Sequence, residues 1–472
     1  MKKPSLQQKI PLIDKIGYGA GNLGVGVAMQ VIGSYLVFFA TVILGIPGSL
    51  AGLAVGISVF WDAVTDPVMG YISDITRSKK FGRRHLYLII GSIGIAVTLY
   101  LIWGIRSSMH TNLKFLLIFI YIILFKTFTT IYITPYTALG SELSTDYNER
   151  TMIQGIKTIF FLLGLALVSV AGMYFFFRPS AAYPIGQMNP QNYRNIGIAS
   201  ASLVLIFTTW SYFATKKYIP ILNKKKIEEV KGNKVAYLFV SMKTTFSNVA
   251  FRSVALCYMF NNISTALLSS LGLHVFTFTF GFTSQNIAIL LGFQFSISIL
   301  SQPLWAYISK KIDKKPAMLV GLVIGVIGAL CFAVLIPFRM SITNQIVYFL
   351  PFSLLAGLAT GALFTLPLSM VADTIDLDEL KSGKREEGVY FGSLTLLYKT
   401  SQAITIFIVG IMLDLIRFDA TLTHQAASTV IALGWFLAIG SILSFLLSGL
   451  SLKPYQLTEK QVRAMQETIE KR

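Results

Sequence analysis

Apolar residues along this chain come in long blocks, separated by short polar turns. Twelve blocks run to about 20 residues or more, the length a helix needs to cross a bilayer. They begin near Ile16, Ser49, Leu86, Leu113, Met152, Ile196, Val254, Asn286, Ala317, Gln345, Val389 and Ser428. Such blocks predict transmembrane helices, and an even number of them predicts both termini on one side. Polar residues that interrupt a block then become informative, because lipid offers them no water. The clearest case lies in the second block, whose sequence FWDAVTDPVMGYIS carries Asp62 and Asp66. Four residues apart on a helix, they sit about 40° apart in rotation and about 6 Å apart along the axis, so they share a face. An ionised carboxylate at membrane depth costs roughly 3 kcal/mol or more and calls for a partner or a task. The pair reads either as a site for a cation or proton, or as two acids neutralised by basic neighbours.

The fourth block holds a candidate neighbour. Lys126 and Thr130 also lie four apart on one face, and Lys126 is expected to pair with Asp62 or Asp66. Lys399 falls inside the eleventh block, where a functional role is the default. The first block is rich in glycine, with Gly17, Gly19, Gly21, Gly24 and Gly26, which suits a helix that packs tightly or slides.

Composition agrees with membrane burial: 54% of residues are hydrophobic and 13% charged, with mean hydropathy +0.66. A soluble domain would need far more surface charge. The formal net charge of +19 could suggest a nucleic-acid partner, but its distribution argues otherwise. With the N-terminus placed in the cytoplasm, 31 of the 40 lysines and arginines fall in cytoplasmic segments or at their edges, and six fall in outer loops. That asymmetry is the positive-inside pattern. It predicts a multi-pass protein of the cell membrane, the inner membrane in a bacterium, with both termini cytoplasmic. Anionic lipid headgroups are its natural surface partners. The first block is too long for a cleavable signal and lacks a small-residue cleavage site. Cys257 and Cys331 lie in apolar blocks and are expected to be free thiols. The four histidines make no ligand spacing, so no metal centre is expected, and phosphate-binding glycine loops are absent. An enzyme is not expected, because no nucleophile–base constellation stands near an interface.

Internal similarity divides the chain. DPVMGYIS from Asp66 is matched by QPLWAYIS from Gln302, and TPYTALGSEL from Thr134 by LPLSMVADTI from Leu366. The lysine-rich stretch around Pro220 separates the two halves. The expected organisation is a six-helix bundle over 1–215, a cytoplasmic linker over 216–247, a second six-helix bundle over 248–452 and a cytoplasmic tail over 453–472. In the tail, Thr458 and Gln461 form a capping-box pattern before a short surface helix. A repeat of this kind places a binding site between halves, as in many secondary transporters. The mixed-charge turns at the cytoplasmic side, with Arg84, Glu142, Arg150, Asp373, Asp376 and Arg385, suggest a salt-bridge gate that can open.

Taken together, WDAVTDP, TRSKKFGRR, PYTALGSELSTDYNERT, ADTIDLDE, KREEGVYFG and the Lys399 segment resemble the glycoside–pentoside–hexuronide:cation symporters, the melibiose permease-like branch of the major facilitator superfamily. The resemblance spans nearly the whole chain. It implies an all-α membrane protein of two pseudo-symmetric six-helix bundles, acting as a monomer in sodium- or proton-coupled uptake of a sugar, glycoside or related small solute. It further implies a coupling site of Asp62, Asp66 and Thr130 with Thr65 alongside, a linking lysine at Lys399, and a basic residue at Lys157. Departures accompany it. Asn22 stands where melibiose-type members have a sugar-binding aspartate, and Ile133 and Thr137 replace an aspartate and a tryptophan. Lys126 occupies a position not expected to be basic, where its ammonium could stand in for a sodium ion. Asn22, Lys157, Asn261 and Asn262 are the candidate substrate contacts. Three cavity-facing lysines would suit an anionic solute; lysophospholipid symporters share the fold, and an uncoupled facilitator is a further alternative.

Overall fold

The computed structural model describes residues 10–76, 78, 80–144, 147–222, 245–383, 387–419, 422 and 425–470. Among them there is no strand; every regular element is a helix. Twelve helices among the described residues are long and apolar enough to span a membrane. They are α1 (Leu12–Ile43), α2 (Gly48–Ile75), α3 (His85–Trp103), α4 (Thr111–Gly140), α5 (Met152–Phe176) and α6 (Pro190–Leu222) in the first half. The second half has α7 (Val249–Thr279), α8 (Ser284–Ile312), α9 (Lys314–Leu335), α10 (Ile346–Ser382), α11 (Glu387–Leu415) and α12 (Ala427–Ser451). A short helix, α13 (Glu459–Glu470), follows.

Helix ends follow local chemistry. Asn189 caps α6 ahead of Pro190 at the first helical position, and the side chain of Asn248 accepts from the amides of Ala250 and Phe251 to start α7. Gly383, in the left-handed conformation, ends α10. Pro67, Pro135, Pro303 and Pro367 sit inside α2, α4, α8 and α10. These are the two proline pairs of the sequence repeat, tolerated in spanning helices because neighbouring groups re-satisfy the freed carbonyls. The first helix of each half also ends in a π-helical turn, Phe39–Ile43 in α1 and Val275–Thr279 in α7.

The chain divides into two compact units, Met1–Glu229 with Asp419–Thr421, and Val230–Phe418 with Leu422–Arg472. In the first unit, α1 packs on α5 and α6, α2 on α4, and α3 on α4 and α6. The second unit repeats that list, with α7 on α11 and α12, α8 on α10, and α9 on α10 and α12. Small residues permit the closest approaches. A Cβ on Gly26 of α1 would lie 2.5 Å from the Phe161 carbonyl oxygen of α5. In the second unit, Phe251, Trp305, Met370, Tyr390 and Tyr455 are nearly or fully buried in one apolar cluster. The helix α13 opens on the capping box expected of it: Gln461 Oε1 accepts from the Thr458 amide at 2.9 Å, and Thr458 Oγ1 accepts from the Gln461 amide at 3.4 Å. Cys257 and Cys331 are free.

Candidate functional site

Two helices of the first unit, α2 and α4, build a charged cluster inside their apolar lengths. Asp62 and Asp66 stand one turn apart on α2 and face Lys126 and Thr130, one turn apart on α4. The Thr130 hydroxyl lies 2.8 Å from Asp62 Oδ1 and 2.8 Å from Asp66 Oδ1. The Lys126 ammonium lies 3.6 Å from the other oxygen, Asp62 Oδ2, with side-chain exposures of 12% and 5%. Lys126 therefore pairs with Asp62, one of the two partners expected of it. The cluster makes chemical sense as a single unit: an isolated carboxylate or ammonium at this depth would be strongly disfavoured, and each reduces the cost of the other.

Thr65 departs from expectation. Its hydroxyl donates to the backbone oxygens of Trp61 and Asp62, at 3.0 and 3.3 Å. A threonine in a helix commonly donates back to the carbonyls three and four residues before it, so Thr65 is turned to its own helix rather than to the carboxylates. Trp61 anchors α2 to α4 from a neighbouring position, its indole N–H donating to Thr127 Oγ1 at 2.8 Å.

A second group lies where α1, α4 and α5 meet. The Asn22 side-chain amide donates to the Lys157 carbonyl oxygen at 3.0 Å, so these two candidate substrate contacts are neighbours through backbone. The Lys157 ammonium donates to Thr137 Oγ1 at 3.0 Å and lies 5.6 Å from the Tyr136 ring centre. Among the described residues no carboxylate stands within ion-pair distance of it, unlike Lys126, Lys15 and Lys314. Tyr136 is itself held to α1 by a reciprocal pair: Tyr18 OH donates to the Tyr136 carbonyl at 3.0 Å, and Tyr136 OH to the Tyr18 carbonyl at 2.6 Å. Their rings stack with centres 4.5 Å apart. Pattern reasoning passed over this tyrosine pair, because nothing in the spacing of Tyr18 and Tyr136 relates them.

In the second unit, Asn261 and Asn262 are both buried on α7, and Asn262 donates to the Tyr258 carbonyl one turn back, at 2.7 Å. Lys399 is half-buried on α11.

At the ends of the spans, the expected gate residues form networks within each unit. In the first, Arg84 donates through Nη2 to Glu142 Oε1 and to Asp74 Oδ1, each at 2.7 Å, and through Nη1 to Ser73 Oγ at 2.5 Å. Burial works against the Arg84 charge, but the hydrogen bonds and charges of Glu142 and Asp74 outweigh it and hold its pKa above the ordinary value. Lys15 pairs with Glu149 at 2.6 Å and Lys217 with Asp14 at 2.7 Å. These two pairs escaped the sequence reading, although charges at span ends beside the STDYNER turn were the available signal. In the second unit Asp373 is held by Lys314 from the start of α9, at 2.7 Å to both oxygens, and by Tyr455 OH at 3.2 Å. Asp376 accepts from Gln466 of α13 at 2.7 Å. Arg385 and the side chain of Arg150 lie outside the described residues.

A chain of twelve spanning helices in two halves packed alike, with a buried charge cluster inside one of them, has the build of a membrane transporter. Comparison with known proteins bears this out. The model of the MFS/sugar transport protein family matches residues 17–459, and the chain belongs to that family. It is similar to an uncharacterized symporter of Synechocystis, 25% identical over 89% of this chain and 88% of that one. It is also similar to the sodium-dependent lysophosphatidylcholine symporter 1 of Gallus gallus, 23% identical over 98% of this chain and 90% of the relative. Among solved structures, a D-xylose-proton symporter shares the fold with a TM-score of 0.62 at 14% identity, covering 92% of this chain and 96% of that one.

Proposed function

We propose that this protein is a cation-coupled symporter that moves a small polar solute across the cell membrane by alternating access, with Asp62, Asp66 and Thr130 as its coupling site. One observation carries the proposal: a single hydroxyl bridges two carboxylates at 2.8 Å inside the apolar length of α2 and α4. Two acids held that close repel each other when both are ionised, and a bound cation or proton relieves the repulsion. Binding there shifts the balance between conformations, which is the thermodynamic content of coupling. Lys399 is the proposed link from the second unit to this site. Asn22, Asn261 and Asn262 are proposed to line the substrate path.

The solute we favour carries an acidic group, a glycoside acid or a phosphate-bearing head. Support comes from Lys157, whose ammonium finds, among the described residues, a hydroxyl and a ring face but no carboxylate. A charge left so at membrane depth is costly unless an anion arrives to meet it. The relative named for lysophosphatidylcholine transport keeps a phosphate-bearing substrate within the candidate class.

Uptake into proteoliposomes tests the proposal, using imposed sodium or proton gradients and a panel of neutral sugars, glucuronides and lysophospholipids. A gradient should drive accumulation of one panel member, and Asp62→Asn should abolish that drive while leaving a folded protein. Equilibration of the substrate without response to either gradient would make the protein a facilitator and refute coupling at this site.

A further inference from the structure

Residues 453–470, we infer, form a releasable strap on the second unit. Docked, the strap restrains the part of α10 beyond Pro367; released, it lets that part swing. The inference goes beyond the symport reading and rests on it only in taking that part of α10 as a moving one.

Pro367 is where α10 can give way. A proline inside a helix has no amide to offer the carbonyl four residues back, here that of Leu363. The turns from Leu368 to Ser382 are therefore joined to the rest of α10 by a weakened link, and lateral contacts hold them in place. Lys314 from the start of α9 grips Asp373 through both oxygens, and the tail adds its own holds. Tyr455 OH donates to Asp373 Oδ2 at 3.2 Å, and Gln466 Nε2 donates to Asp376 Oδ2 at 2.7 Å. Burial, and then the charge of Asp373, push the Tyr455 hydroxyl well above its ordinary pKa, so it stays a donor. Val462 and Met465, each less than a tenth exposed, bury the apolar edge of α13, which packs on α10. In the first unit the matching part of α4, beyond Pro135, is held by Arg84 of the α2–α3 turn through Glu142. There the hold belongs to the bundle itself.

Two features make the strap releasable. The first is strain at its foot. Asp313, between α8 and α9, has φ 68° and ψ 161°, a conformation nearly confined to glycine that persists only where neighbouring contacts enforce it. Its Oδ1 accepts from the Glu459 amide that opens α13, at 2.9 Å. Beside it, Lys315 donates to the Lys453 and Tyr455 carbonyls at 3.0 and 2.6 Å. Release of the tail removes contacts that hold Asp313 in this conformation, so the strain favours release. The second feature is incomplete packing. A cavity of about 370 Å³ lies between tail and bundle, with Lys314, Ser369 and Asp373 on one side and Gln466 and Ile469 on the other. The tail thus rests on discrete contacts, and elements held that way open locally before a core does.

Spin labels and hydrogen exchange on the purified full-length protein test the strap without any substrate. Labels on Lys381→Cys and Leu450→Cys, both exposed positions, with Cys331→Ser in the same chain, report the distance from the end of α10 to the end of α12. This parent should give one narrow distance. Val462→Asp, which puts a carboxylate into the docking edge, should speed exchange of the α13 amides and add a second distance, while Val462→Ile keeps the parent behaviour. Tyr455→Phe, which keeps the ring, should raise α13 exchange roughly tenfold, about the worth of one hydrogen bond to a charged group. In proteoliposomes, whichever of a glucuronide or lysophosphatidylcholine accumulates should turn over faster in Val462→Asp, with its half-saturating concentration unchanged. A freed tail with an unchanged distance overturns the inference, as does a tail that Val462→Asp leaves docked. If Val462→Asp does not fold, Gln466→Glu, which sets like charges against each other at Asp376, takes its place in both measurements. Failure of every panel member to accumulate would sink the symport reading and leave the distances to decide the strap.

Discussion

The charge of a buried lysine is expensive, and the chain answers that expense in two ways. Lys126 has Asp62 on the facing helix. Among the described residues Lys157 has Thr137 and the Tyr136 ring but no carboxylate within ion-pair distance, which leaves its charge open to an acidic ligand. A bound acidic group would meet it through a charge-assisted hydrogen bond worth about 1.5–3 kcal/mol, roughly ten- to a hundredfold in affinity. Lys157→Ala should therefore raise the half-saturating concentration of the acidic panel member by that factor, with Lys157→Arg restoring most of it. Equal effects on neutral and acidic solutes would instead assign Lys157 a packing role. Residue identity showed the need for partners at Asp62, Asp66 and Lys126. The partner chosen, and the turning of Thr65 to its own backbone, depended on how α2 and α4 face each other.

Individual helices were legible because each is a long apolar block: the expected starts fall within about six residues of the observed ones. Less legible was which helices touch. Glycine positions give a partial sign, since α1 can approach α5 only where a side chain is missing. Gly26→Ala should force the Phe161 carbonyl away and cost about 1–3 kcal/mol, read as a lower unfolding temperature in detergent. Gly155 of α5 is the control. A Cβ there meets nothing within 4 Å, so Gly155→Ala should be neutral or stabilise by up to about 1 kcal/mol through helix propensity. If both variants behave alike, the α1–α5 contact is looser than its geometry indicates. The links of Asp376 to Gln466 and of Asp373 to Tyr455 belong to this scale too. They join residues about 80 to 90 positions apart, and nothing in the mixed-charge sequence around Asp373 named Gln466 or Tyr455 as partners.

At the level of the whole molecule, the distribution of lysine and arginine predicts orientation, which membrane insertion enforces through loop charge. A fluorescent protein fused after Arg472 should be fluorescent, and alkaline phosphatase fused after Ser107 should be active, placing the tail inside and the α3–α4 turn outside. The reverse pattern would sink the orientation. By itself, the sequence determined the twelve spanning helices, the two-fold repeat of prolines and motifs, and the acids and lysines that a bilayer interior cannot leave alone. Each follows from a local property, the length of an apolar run or the cost of a charge in it. The tertiary structure alone decided that Thr130 sits between both carboxylates, that Lys126 takes Asp62, that Tyr18 and Tyr136 tie α1 to α4, and that Lys314 holds Asp373. Those choices depend on rotation and contact between helices distant in sequence, and the amphipathic pattern of the spanning helices is flattened by lipid, which favours apolar residues on faces that a water-soluble protein would mark with charge.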